Sequence, residues 1–271
     1  MPAPSMASKT RKTRKRRALE KVKRPARVPA PKFPKSVERR YRAYLLRRVK
    51  ALDKLVKLHV LKSLATGKGT GKITAPANVR ADGLVADILA KLRKAWASQA
   101  PPDPALLIRF VDQIAASARA FQARLVVGPL PLPVPFSTKG FVAENVKLIK
   151  SIDAVYLDRV ATIVAEAQSK GWSASRAGRE LRDATGITTR RAQLIARDQI
   201  ATVNSKIAEK QQTAVGIDSY IWSTSQDERV RPDHAAREGK EFKWSEPPFD
   251  GNPGEPINCR CVAIPVFPST T

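Results

Sequence analysis

The sequence predicts an α+β chain that is mostly helical, with a disordered basic N-terminal arm before it and a small β-containing cap at its C-terminal end. Three observations predict this. Apolar residues recur at spacings of three and four through most of residues 36–214, as amphipathic helices require. The first 50 residues carry 19 Lys and Arg against two Glu, a net of +17 out of +26 for the whole chain. Beyond Gly216 the pattern changes to short β-rich runs set among prolines and glycines. The chain therefore divides into an arm over 1–35, a helical region over 36–127, a proline-rich linker over 128–138 and a C-terminal domain over 139–271.

In the arm, Lys9, Arg11, Lys12, Arg14, Lys15, Arg16 and Arg17 form a block of like charge, followed by Pro25, Pro29, Pro31 and Pro34. Self-repulsion and lack of apolar content prevent a packed core there. A helix is predicted over 36–65, with Ser36 as N-cap, Glu38 in its first turn and an apolar face from Leu45 to Val60. Gly67 to Lys72 reads as a linker. It lacks both the spacing of a phosphate loop and a preceding strand. Two helices follow over 79–99 and 103–126, divided by Pro101-Pro102. Leu84, Val85, Ile88, Leu89 and Leu92 stripe the first, and Leu106, Leu107, Phe110, Val111 and Ile114 the second.

The C-terminal domain begins with a helix over 139–169, ended by Gly171. A second helix is capped by Ser173 or Ser175 and stopped near Ala184 by Gly186. Thr188 then opens a long helix from Arg190 to about Ala214, with Gly216 as its stop signal. Tyr220 to Thr224 has strand composition. Pro232 to Glu238 fits one helical turn closed by Gly239. Residues 245–257 form a Pro/Gly loop, and Val262 to Phe267 a final strand that Pro265 confines to a sheet edge.

A net charge of +26 implies a polyanionic partner, with nucleic acid ahead of an anionic membrane surface. The arm is then the DNA-contacting element, double-stranded DNA being bound non-specifically through its phosphates. The bland alternative is a solvated tail, but solubility alone needs far less charge. No apolar run approaches the ~20 residues of a membrane span, and no apolar core of a signal peptide follows the basic N-terminus. A cytosolic protein without a membrane partner is predicted. The chain has two cysteines, one residue apart, so no disulfide framework exists.

Those two cysteines lie in the chemically richest stretch. Cys259 and Cys261 have the atom types of a zinc site with His234, and Asp233 or Asp227 is the candidate fourth ligand. Against this, structural sites usually show C-x2-4-C, and an extended C-x-C sends its side chains to opposite faces. The competing reading makes both cysteines small buried hydrophobes. Arg229, Arg231 and Arg260 alternate with Asp227 and Asp233, a pattern that fits a local ion network better than phosphate binding. His234 is a general-base candidate, but Asp233 is its sequence neighbour and poorly placed to orient it on a helix. No nucleophile, H-E-x-x-H motif or carboxylate cluster supports catalysis.

Taken in order, these pieces resemble the phage Mu protein F-like family of minor head and head-morphogenesis proteins. The resemblance runs from about Val142 to Pro265. It rests on Arg191-Ala192-Gln193-Leu194-Ile195-Ala196-Arg197-Asp198-Gln199 with Asn204, then Gly216 and a strand ending at Trp222. Asp227-x-Arg229-x-Arg231-x-Asp233-His234, Gly239 and Pro253-Gly254-Glu255-Pro256-x-Asn258-Cys259-Arg260-Cys261 complete it. It implies a structural, non-enzymatic minor capsid protein, assembled into the phage head in the host cytoplasm. Its implied partners are portal, capsid or scaffold proteins and packaged DNA, with self-association a further option. Within the domain, Arg197, Asp198, Asn204, Trp222, Asp227, Arg229, Arg231, Gly239, Asn258 and Arg260 are expected to brace the fold. The alternative function is a metal-dependent enzyme acting on nucleic acid through His234, Cys259 and Cys261.

Overall fold

The computed structural model describes residues 29–61, 81–124 and 136–267. The predicted arm contacts, the glycine-rich break at 67–72 and most of the 128–138 linker lie outside them. Six helices, the last a single turn, and a three-stranded sheet make up the described residues. Helix α1 spans Lys35–Val56 and continues through a π-helical turn, Lys57–Leu61; α2 is Ala81–Ala97, α3 Pro104–Gln122, α4 Thr138–Ser169 and α5 Ala174–Thr213. Then come β1 (Ser219–Ser223), the one-turn helix α6 (Pro232–Ala235), β2 (Glu241–Lys243) and β3 (Val262–Val266). Two compact units emerge: residues 34–117 with 135–203, and a second unit containing 204–271.

The first unit is held by an apolar core. Leu52, Val56 and Val60 meet Ile88 and Leu92 of α2, Tyr156, Val160 and Ile163 of α4, and Ala177, Leu181 and Ala184 of α5. Helical periodicity delivers these residues to one face of each helix. A buried polar chain pins the register. The Tyr41 hydroxyl donates to Asn145 Oδ1 at 2.6 Å, and Asn145 Nδ2 donates to Gln199 Oε1 and to the Phe141 carbonyl, each at 2.9 Å.

Three sequence expectations change here. Ser36 does not cap α1: the helix begins one residue earlier, with Pro34 at the N-cap and no side-chain cap, and the Pro34 carbonyl accepts from Val37 and Glu38 N–H. Gly186 does not stop a helix, and Thr188 does not open one. Both lie inside the continuous 40-residue α5. Thr185 and Thr188 turn their hydroxyls back onto the Leu181 and Ala184 carbonyls, each at 2.9 Å, instead of capping a new helix. An interior glycine costs only ~1 kcal/mol relative to alanine. Burial of Leu181, Ala184, Ala192 and Ala196 outweighs it.

Other boundaries follow their signals. Ser173 Oγ accepts from the Arg176 N–H at 3.2 Å and starts α5. Gly171 (φ +57°) ends α4 in the left-handed conformation, with Trp172 N–H reaching back to the Ala167 carbonyl. Gly216 (φ +77°) ends α5 the same way, with Ile217 N–H on the Gln212 carbonyl.

In the second unit the sheet order is β2-β1-β3, both pairings antiparallel. Pro265 sits opposite Tyr220 on the edge strand β3, where its missing N–H costs no ladder bond across the open side. The short strand β2 carries no clear sequence signal, since Glu241, Phe242 and Lys243 bury only the central residue in part. Its register on β1 comes from pairing, not from hydrophobic pattern.

Candidate functional site

The second unit is organised around Trp222 at the end of β1. Tyr220, Trp222, Trp244, Cys259, Cys261 and Ala263 form its buried cluster, with Phe242 and Ala208 packed against it. Tyr220 and Trp222 sit two apart on β1 and therefore share a face of the sheet. The sheet supplies only one wall. The others come from α6 and from the long irregular segment between β2 and β3.

Pro232 opens α6 at a position where its missing N–H is no loss, and the turn carries His234 inward. Gly239 (φ +75°) then lets the chain fold back so that its N–H reaches the Trp222 carbonyl at 2.9 Å. The return segment has three positive-φ residues, Gly251, Gly254 and Asn258, the last two within the motif. Gly254 has φ +98° and Asn258 φ +62°. Asn tolerates that region better than other non-glycine residues. Residues 259–261 precede β3, which starts only at Val262. The expected divergence of the C-x-C side chains does not occur: both sulfurs converge on one imidazole.

His234 Nδ1 lies 3.6 Å from Cys259 Sγ and 3.5 Å from Cys261 Sγ. The three potential ligand atoms all fall within 4.8 Å of one another, and the three residues are buried. The other imidazole nitrogen, Nε2, lies 3.0 Å from Asp250 Oδ2. Asp250 Oδ1 accepts from Arg237 Nη1 at 2.6 Å. The Arg237 guanidinium lies over the Trp222 ring, 4.9 Å from its centroid, and Trp222 meets the His234 ring edge-on at 5.2 Å. Two backbone N–H groups point at the Cys259 sulfur, from Gly254 at 3.3 Å and from Cys261 at 3.4 Å.

Electrostatics follow from these contacts. The hydrogen bond from the Cys261 thiol, opposed by burial and aided by the two backbone N–H groups, brings Cys259 down to about 6. Cys261, which donates that proton and is buried, is pushed well above the ordinary thiol range. Burial acts to raise Asp250. The hydrogen bonds from His234 and Arg237 act against it, and the carboxyl ends below its ordinary value. The site is therefore built for negative charge on sulfur next to a ring whose far side is held by a carboxylate.

Asp233 is exposed and stands outside the His234, Cys259 and Cys261 group. Asp227 is also outside it. Asp227 instead accepts both terminal nitrogens of Arg260, at 2.5 and 2.6 Å, and the Arg229 N–H at 3.1 Å. Arg231 donates to the Ile257 carbonyl, and the Arg229 side chain is exposed. Asn204 begins the second unit, whereas Arg197 and Asp198 belong to the first. The residues missing from the sequence reading are Asp250 and Arg237. Asp250 is the carboxylate that Asp233 could not be, but it lies sixteen residues from His234 in a Pro/Gly loop, where no spacing rule applies.

Fold and site together define a helical protein that carries a compact C-terminal cap, cross-braced by buried polar groups. Residues 158–264 match the family described as Phage Mu protein F like protein, so this segment is a Phage Mu protein F-like domain. The chain is also similar to an uncharacterized protein of Haemophilus influenzae, 42% identical over 126 residues. That alignment covers 46% of this chain and 28% of the relative's length. No solved structure matches the chain. Among the described residues, no helix is long and apolar enough to cross a membrane.

Proposed function

We propose that this protein is a minor component of a phage head that acts in head morphogenesis, docks near the portal and touches packaged DNA through its basic arm. The observation that carries the reading is the Phage Mu protein F-like domain over residues 158–264. Its construction supports a binding role. The cap invests its polar groups in bracing itself, through Asp250 with His234 and Arg237, Asp227 with Arg260, and Tyr220 with Asn252. Such a module presents a rigid surface. On that surface Phe249 and Ile257 are 88% and 65% exposed, apolar contacts of the kind a capsid or portal partner covers.

The arm fits the same setting. The net of +17 in the first 50 residues suits a compartment filled with concentrated polyanion. Tagged protein expressed during head assembly is expected to co-purify with procapsids and portal protein. Recovery of procapsids and portal without the tagged chain defeats the proposal.

A further inference from the structure

We infer that His234, Cys259 and Cys261 form a structural zinc site, with His234 Nδ1 and the two thiolate sulfurs as ligands and Asp250 as the carboxylate that orients the ring. The inference goes beyond the head-assembly reading and does not depend on it.

Geometry carries it. Zn–S bonds of about 2.3 Å and Zn–N bonds of about 2.05 Å at a tetrahedral angle place S and N roughly 3.55 Å apart. The two observed separations are 3.5 and 3.6 Å. Both sulfurs meet that distance to the same nitrogen atom.

The ring's surroundings also favour the tautomer a metal requires. Asp250 is an acceptor-only group, and Arg237 holds its other oxygen. A proton on Nε2 donates to Asp250, so the Nδ1 lone pair points at the sulfurs. A carboxylate on the distal nitrogen is the usual support of a metal-bound histidine. The sulfurs are provided for as thiolates. Gly254 and Cys261 N–H groups aim at Cys259 Sγ. The Trp222 indole N–H, buried in the same cluster, has no hydrogen-bond partner among the described residues. Two sulfurs and one imidazole nitrogen gathered at these distances are a ligand set that suits zinc. Binding displaces the thiol protons to solvent and leaves the sulfurs bonded to the ion. Among the described residues no fourth His, Cys, Asp or Glu joins the three.

The test uses full-length protein purified without chelators. Elemental analysis is expected to find one zinc per chain. Co2+ titrated into the metal-stripped protein is expected to give intense tetrahedral d–d bands and sulfur-to-metal charge transfer, both displaced by Zn2+. Asp250→Asn is expected to weaken Zn2+ binding 10–100-fold, measured against a chromophoric chelator. Asp233→Asn, at an exposed position, leaves it unchanged. A pale octahedral Co2+ spectrum without charge transfer overturns the inference, as does sub-stoichiometric binding to folded wild-type chain. Because both readouts are taken on the wild-type protein, a failure of Cys259→Ser or Cys261→Ser to fold does not blunt the test.

Discussion

Replacing Asp250 by Asn changes one oxygen of the cap to an N–H2 group and leaves the shape intact. In the wild type, Oδ2 faces His234 and Oδ1 faces Arg237, at 3.0 and 2.6 Å. Asparagine has a single acceptor, so one of these neighbours then meets a donor. If Arg237 keeps the oxygen, the amide donates to His234 Nε2 and forces the ring proton onto Nδ1, toward the sulfurs. If His234 keeps it, a buried guanidinium loses its counter-charge. Removing one partner of a fully buried pair costs roughly 3–5 kcal/mol, and a charged hydrogen bond alone about 1.5–3 kcal/mol. The Asp250 side chain is 20% exposed, which places the loss near the lower figures, at about 2–3 kcal/mol.

Urea unfolding followed by tryptophan emission reads it, since Trp222 and Trp244 both lie in the cap cluster. Asp233→Asn is the control and is expected within about 0.5 kcal/mol of wild type, as for other exposed sites. The pH dependence has a defined sign. The Asp250 carboxyl is depressed in the folded state. Its stabilisation is therefore present above the unfolded value near ~3.9 and is lost as pH falls through the folded value. The gap between wild type and Asp250→Asn closes over that acidic range. An Asp250→Asn protein as stable as the Asp233→Asn control at neutral pH refutes the reasoning.

The continuous α5 predicts that Gly186→Ala stabilises the protein by up to about 1 kcal/mol, because the new Cβ meets only the end of Arg190 at 3.7 Å. Gly216→Ala, placed at φ +77°, is expected instead to destabilise by roughly 1–2 kcal/mol, and thermal denaturation compares the two. The Asp227–Arg260 pair is bidentate but partly exposed, so Arg260→Met is expected to cost only about 0.5–1 kcal/mol, shrinking in high salt. Deleting residues 1–35 is expected to remove most non-specific duplex binding and to flatten its salt dependence, measured by fluorescence anisotropy.

Much of the helical architecture was legible because burial follows period. The stripe of Ile88 and Leu92 and that of Leu107, Phe110, Val111 and Ile114 are the buried positions of their helices. Gly171, Gly216 and Gly239 mark the chain reversals, since each adopts a positive φ. Gly186 misled because a glycine signal is local, and tertiary burial along α5 overrides it. Strand β2 escaped notice for the opposite reason: its residues have little intrinsic strand character and are recruited by β1. At the site, the rare residue types identified His234, Cys259 and Cys261, whereas their convergence depends on the turns at Gly254 and Asn258. Asp250 was invisible because its partnership with His234 is made by folding, not by spacing.

We propose that this chain acts in building a phage head. This is tested most directly by introducing an early stop codon into its gene, then counting DNA-filled heads by electron microscopy, with and without the chain supplied in trans. Filled heads are expected to be lost or malformed without the chain and restored by complementation. Normal numbers of well-formed, filled heads in its absence would contradict it.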